Sequence, residues 1–442
     1  MDSVVITMNK LVYILLVSVF LLDYIHGLGF MPRSATYIPE FLSAIATLIL
    51  IAVISVKKTL YLSPAYLFIF LFIIILVAIG LVANHVDSSV ALSGIRSYFK
   101  YFPFFLLPAV YEFSDADVRS YLYLMMGLAL IQFPVTLYQR FIESAGLVTG
   151  DLVSGTIGTS GKLTVLLMCC ITVLTAFYFK KKISLTRLAI MLLLLVIPTM
   201  INETKVTIIL LPLALLVPTL LAVVKRFNFK QFFSVITLGS VVLVLFISVY
   251  DHFVEQRWGY GIIDFFTMEG RVEEYLSKED DKIQSGKYGR MDALKAPIEI
   301  LSKEPTSLFL GLGIGNVSQS FLGAEFSGKY FSRYGNTLRG SISILLWELG
   351  LLGVFLYITL LFYIFRDVLR LTNSDGIIGD LALGWGGVLF IYAISLFYTD
   401  IIRSDALSYV FWLISGILVS HSARISAKDP YVFYRQNPNT FG

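Results

Sequence analysis

Three cations stand where an anionic group on a lipid could be met. Arg290 follows Tyr288-Gly289 and opens a segment of roughly helical spacing, Arg339 immediately precedes a long apolar run, and Lys205 lies in Asn202-Glu203-Thr204-Lys205, a tight turn between two apolar runs. A guanidinium is a planar fork that meets two phosphate oxygens at once. Two arginines and a lysine converging at one membrane face therefore suit a lipid diphosphate. Arg96, at the start of another apolar run, is a fourth candidate. Each has a structural alternative, because a charge near hydrocarbon costs about 2.5–3.5 kcal/mol at a helix centre and less at its ends. A lysine or arginine there can simply snorkel to the interface.

Other constellations carry less chemistry. Gly311, Gly313 and Gly315 look superficially like a nucleotide loop, but a dinucleotide fingerprint needs a strand before it and a helix after it. In a helical chain, a turn with close backbone approach is the better reading. The run Glu279-Asp280-Asp281 has the carboxylates of a metal-dependent nucleotide-sugar transferase, yet those sugars are cytoplasmic, and a solvated charged face accounts for it. His26, His85, His252 and His421 are scattered with no second ligand at metal spacing, so no metal site is expected. Cys169 and Cys170 are neighbours in one apolar run, where geometry opposes their joining.

Residues that meet a lipid head group must be positioned by a membrane scaffold, and the composition supplies one. Of 442 residues, 57% are hydrophobic and 14% charged, with mean hydropathy +0.81, far outside the balance of a soluble domain. A crossing helix takes about 20 mostly apolar residues. Twelve such runs occur, near 11–30, 37–56, 64–84, 93–111, 119–138, 163–179, 186–201, 205–224, 231–250, 340–365, 380–398 and 405–421. The fold class expected is an all-α polytopic membrane protein. Nine helices fill 1–251, a large polar loop follows over 252–339, three more helices occupy 340–421, and a polar tail closes the chain over 422–442. The first run carries Asp23 and His26 and leads straight into further spans, so it reads as an uncleaved helix rather than a signal peptide.

Orientation follows from the loops. One set collects Lys57-Lys58, Lys180-Lys181-Lys182 with Arg187, Lys225-Arg226, Lys230, Arg366, Arg370, Arg424, Lys428 and Arg435, whereas the alternate set keeps chiefly Arg33, Arg96, Lys162, Lys205 and Arg403. The positive-inside rule then puts both termini in the cytoplasm and the 252–339 loop outside. That loop holds eleven Lys or Arg against twelve Asp or Glu. Single arginines, not a polybasic funnel, must carry any anion recognition. Within the loop, Asp292 to Ser302 has Leu294, Pro297, Ile298 and Leu301 at helical spacing, which predicts an amphipathic helix lying on the bundle or the bilayer. The chain shows no repeat and no similarity between its halves, which weighs against a transporter built of inverted repeats.

The order of these features resembles the Wzy-type O-antigen polymerases and O-antigen ligases. The resemblance rests on Gly155-Thr156-Ile157-Gly158 before a span, Glu203-Thr204-Lys205 between two spans, Arg290 with Ala293, Ala296 and Ile300, Gly311-Leu312-Gly313-Ile314-Gly315, and Glu348-Leu349-Gly350-Leu351-Leu352-Gly353. It covers roughly residues 90–365. Ligases of this family tend to carry a His-Asn pair where this chain has Arg339-Gly340, and the position of Lys205 is often arginine. Outer-loop arginines are the mark of the polymerases, so the resemblance implies a GT-C-like fold and a polymerase of polyprenyl-diphosphate-linked oligosaccharide repeat units. It further implies a bacterial inner membrane, no cofactor, no metal, no nucleic acid, and partners limited to the lipid-linked glycan, membrane lipid and a chain-length regulator protein. Arg290, Arg339 and Lys205 would be catalytic; Arg96, Glu203, Tyr288 and Asp292 would contact substrate, with Glu203 or Asp292 as the base. The alternatives are a ligase moving finished glycan to an acceptor, and a transporter or flippase of lipid-linked glycans using Asp23, Glu40 and Glu348 with helices broken at Pro198, Pro212 and Pro218.

Overall fold

A computed structural model describes residues 2–57, 59–144, 150–224, 228–277, 289–321 and 323–428. Tyr288, the Glu279-Asp280-Asp281 run and most of the tail lie outside the described residues. Among the described residues the chain is helical with no strand: α1 (Asp2–Gly27), α2 (Ile38–Lys57), α3 (Pro64–Ala83), α4 (Ser88–Phe99), α5 (Phe102–Val110), α6 (Asp115–Tyr138), α7 (Ser160–Phe179), α8 (Leu185–Ile201), α9 (Thr207–Val223) and α10 (Phe229–Trp258). The short helices α11 (Ile262–Thr267), α12 (Arg271–Ser277), α13 (Arg290–Leu301), α14 (Pro305–Leu310) and α15 (Phe331–Tyr334) follow, then α16 (Ser341–Leu371), α17 (Gly376–Tyr398) and α18 (Asp405–Lys428).

Nine of these helices, α1, α2, α3, α6, α7, α10, α16, α17 and α18, are long and apolar enough to cross a membrane. The arrangement is that of a multi-pass membrane protein. Its apolar surface is on the outside as well as within: Phe41, Leu48, Phe68, Phe355 and Phe362 are all more than half exposed, which is costly in water and costless against lipid tails. Helices α7, α17 and α18 form the interior, while α2 and α10 lie at the periphery.

Three of the twelve expected spans depart from a single long helix. The runs at 186–201 and 205–224 form α8 and α9, each of 17 residues, with Pro198 in α8 and Pro212 and Pro218 in α9. The run at 93–111 is two helices, because Pro103 at the start of α5 restricts the residue before it and the chain breaks at Lys100-Tyr101. Lys100 turns that break to use, bridging Glu40 at 2.9 Å and Asp405 at 2.6 Å.

The glycine-rich turn and the Glu-Leu-Gly segment, far apart in sequence, are one structural device. Helix α16 is interrupted at Gly350, whose φ of 64° belongs to the left-handed region, so the Trp347 carbonyl accepts a hydrogen bond from the Leu312 amide at 2.7 Å. The two backbones touch: a Cβ on Gly350 would stand 2.5 Å from the Phe309 carbonyl carbon, and one on Gly311 the same distance from that of Glu348. Gly315 presses likewise on α4, where its Cβ would lie 2.5 Å from the Val90 carbonyl oxygen. Only glycine allows this approach. The segment after α10 is thereby pinned into the bundle rather than lying on it.

Helix α13 forms where the spacing predicts, over Arg290–Leu301, but its buried face is Ala293, Pro297 and Leu301, and Ile298 is exposed. It packs beside Val317, Tyr334 and Trp347, with the rings of Tyr334 and Trp347 stacked at 4.3 Å. Helix α11 docks through Ile262 and Phe265 and turns Ile263 and Phe266 outward.

Candidate functional site

Arg290 is the first residue of α13, and its position is set by the end of α17. Its guanidinium carbon lies 4.2 Å from the centre of the Tyr398 ring and its Nε donates to the Tyr398 carbonyl at 3.3 Å. Tyr398 is itself received by the first turn of α7, since a Cβ on Gly161 would meet its ring at 3.2 Å. Three helix ends thus meet around one arginine.

Arg339 is brought to the same place by hydrogen bonds made one turn away. The Ser343 hydroxyl bonds the carbonyls of Ala293 (2.7 Å) and Thr337 (2.8 Å), joining α13 to the strip before α16, and the Trp347 indole N–H donates to the Thr337 hydroxyl at 2.8 Å. Gly340 then lies against α17, where a Cβ would be 2.7 Å from the Phe397 carbonyl oxygen. Arg339 keeps solvent access above this contact while its guanidinium is partly desolvated by its neighbours.

Lys205 comes from the turn between α8 and α9. Asn202 ties that turn to α7 by donating to the Ser160 carbonyl at 3.3 Å, and accepts from the Thr204 amide at 3.1 Å. Glu203 adopts φ 58°, a conformation that a non-glycine residue takes only under constraint. The Lys205 ammonium sits 4.4 Å over the ring of Phe265 from α11, within cation–π range.

The three cations share a field. Burial holds the Lys205 pKa below the ordinary lysine range, the charge of Arg290 lowers it further, and Asp151 and Glu203 work in the opposite direction. Burial and then Arg290 likewise lower that of Arg339. Neighbouring cations whose charged forms are disfavoured in this way gain from an anion with more than one negative charge.

The other expected residues are placed differently. Glu203 is half of a buried ion pair with Arg140 at 3.0 Å; it suits fixing the turn under Lys205 better than taking a proton. Asp292, in the first turn of α13, is partly exposed beside Arg290. Arg96 is drawn into a separate charge group, 2.5 Å from Glu40 and 4.1 Å over the Phe321 ring. It does not join the cations around Arg290.

Some residues escaped the sequence analysis, and others entered it in a different role. Tyr398 gave no signal, being one aromatic among many at a helix end. Glu348 is wholly buried, accepting from the Tyr98 hydroxyl at 2.8 Å and the Ser318 hydroxyl at 2.6 Å. Ser318 in turn receives Arg403 at 2.5 Å, and Arg403 pairs with Asp400 at 2.8 Å. Burial pulls the Arg403 pKa down, but Asp400, Tyr98 and Glu348 outweigh it and keep the guanidinium charged. This network fixes the loop that follows Tyr398; Glu348 and Arg403 stand out in sequence as charges beside apolar runs, but their link through Ser318 does not. Gln132 and Gln139 are a second example, holding Thr156 and Gly155 by backbone contacts of 2.8 and 2.7 Å. The Gly155-Thr156-Ile157-Gly158 turn is clamped by α6 and its extension.

Compared with known protein families and with curated proteins, the chain matches no family model and no curated sequence.

Proposed function

We propose that this chain is a membrane glycosyltransferase that polymerises oligosaccharide repeat units carried on polyprenyl diphosphate, acting at the outer face of a bacterial inner membrane. In this reading α4 and α5 form one broken span and α8 and α9 complete the twelve. Both termini are cytoplasmic, and the segment between α10 and α16 is outside. The observation that supports it is the meeting of Arg290, Arg339 and Lys205 at the ends of α7, α9, α16 and α17, under one field. The basic residues at the other end of the bundle, among them Lys180, Lys182, Arg366 and Arg370 with their partners Asp380 and Asp367, agree with that orientation.

The chemistry follows from where charge builds. A hydroxyl of the acceptor sugar attacks the anomeric carbon of the donor glycan, the bond to the diphosphate oxygen breaks with its electron pair leaving on the diphosphate, and Asp292 receives the hydroxyl proton. Fixed cations aimed at the departing diphosphate lower this barrier because they strengthen their interaction as its charge grows. Neither a nucleotide nor a metal is required, and polymerisation by the purified protein is expected to continue in EDTA. Activity lost in EDTA and restored by magnesium or manganese would refute this metal-free account.

The competing reading is a transporter of lipid-linked glycans, and the break at Gly350 is the observation in its favour, since transporters often use interrupted helices. That break, however, is filled by the Gly311 turn. The deciding experiment is the glycan ladder of a deletion strain. A polymerase deletion leaves only single repeats on the final acceptor; a ligase deletion leaves long polymer on the carrier lipid, and a transporter deletion leaves single repeats trapped inside.

A further inference from the structure

An apolar cleft runs beside the same two helices whose ends hold Arg290. It is walled by Leu166, Cys170 and Phe177 of α7, by Trp385 and Tyr392 of α17, and by Met126 of α6, and none of its described lining residues is charged. Tyr123, 70% exposed, stands at its mouth. We propose that this cleft holds the hydrocarbon tail of a single polyisoprenoid whose diphosphate is met by Arg290, Arg339 and Lys205. The inference rests on the functional reading above and adds the site of the lipid moiety.

Length selects the occupant. From Tyr398, which bonds Arg290, to Trp385 is a descent of about 20 Å at a rise of 1.5 Å per residue, and the lining continues to Ile183 at the turn between α7 and α8. One leaflet of hydrocarbon is only about 15 Å deep. The tail of an ordinary phospholipid with its head at the outer face ends near the bilayer centre, so it leaves the lower part of the cleft unfilled. A long polyisoprenoid reaches it. The lining also suits an irregular, methyl-studded chain, because Met125, Met126 and Met191 are unbranched and adaptable.

The test compares affinities of the full-length protein in detergent micelles for inorganic diphosphate, geranyl diphosphate, undecaprenyl diphosphate and undecaprenol, read from the shift in unfolding temperature. Undecaprenyl diphosphate should bind at least about tenfold tighter than geranyl diphosphate, because only the longer tail makes packing contacts along the whole depth of the cleft. Cys170→Phe and Met126→Trp, which fill the cleft from opposite walls, should each erase that gain while geranyl diphosphate binds as before. Equal affinities for the two chains, a gain that survives in both variants, or a gain removed by added phospholipid would overturn the proposal. The last outcome would mean that bulk lipid fills the cleft. Failure of the diphosphate reading looks different: inorganic diphosphate does not bind and undecaprenyl diphosphate binds no better than undecaprenol, yet undecaprenol binding remains sensitive to the two variants.

Discussion

At the residue scale the weight falls on Arg290. Its guanidinium both faces the Tyr398 ring and bonds the Tyr398 carbonyl, so the planar shape matters as well as the charge. Arg290→Lys should keep a cation but lose the stack and the second phosphate contact, with activity falling by about tenfold or more, and Arg290→Ala by about a hundredfold or more, at unchanged protein levels. Near-normal glycan ladders from both variants would make Arg290 structural. Lys205 gives a pH signature. Because burial and Arg290 depress its pKa, it loses its proton in the folded state before it would in the unfolded chain. In that alkaline window the unfolded chain binds more protons, so this residue's contribution to stability rises with pH, while affinity for a diphosphate falls. Diphosphate titrations across that window should weaken for the natural protein and stay level for Lys205→Arg; parallel curves would separate Lys205 from the anion. The chemical type of these side chains was legible in sequence, since a cation beside an apolar run is conspicuous. What a carboxylate does was not: Glu203 and Asp292 look equivalent until Arg140, distant in sequence, claims Glu203.

At the scale of elements, hydrophobic length was legible and interruption was not. Apolar runs announce helices, but α16 reads as one unbroken run through Gly350, and nothing local says that its backbone turns left-handed there. The cause is the Gly311 turn, some forty residues earlier in the chain. The same holds for α4 and α5, where Pro103 marks a break whose purpose, presenting Lys100 to Glu40 and Asp405, depends on two other helices. Gly350→Ala should therefore cost roughly 2 kcal/mol or more, from the strained φ and the clash with the Phe309 carbonyl together. Gly158→Ala, also at positive φ but with open space around it, should cost less. Unfolding temperatures in one detergent would rank the two, and an equal drop would mean that the close crossing at Gly350 contributes nothing beyond backbone strain.

For the whole molecule, the sequence establishes a polytopic helical protein and the helices bear that out, whereas its sidedness rests on where the cations lie. Ser327→Cys and Glu325→Cys, in the segment before α16, should react with a membrane-impermeant thiol reagent in intact spheroplasts, and Lys182→Cys should react only after the membrane is opened. The reverse pattern would invert the topology and move the cation site to the cytoplasm. Native Cys169 and Cys170 lie within α7, and the parent protein serves as the unlabelled control. The packing of α7, α17 and α18 at the centre could not be read from hydropathy, because in lipid both faces of a helix are apolar and periodicity no longer distinguishes inside from outside.

The Leu312–Trp347 hydrogen bond has a consequence for biogenesis. Its acceptor belongs to a helix that is synthesised after its donor, so the segment between α10 and α16 must wait until α16 has been made before it can seat. Only then can it drop its glycine-rich turn into the gap. Maturation thus has two ordered stages, and a ribosome stalled before α16 would leave that segment unseated and open to proteases.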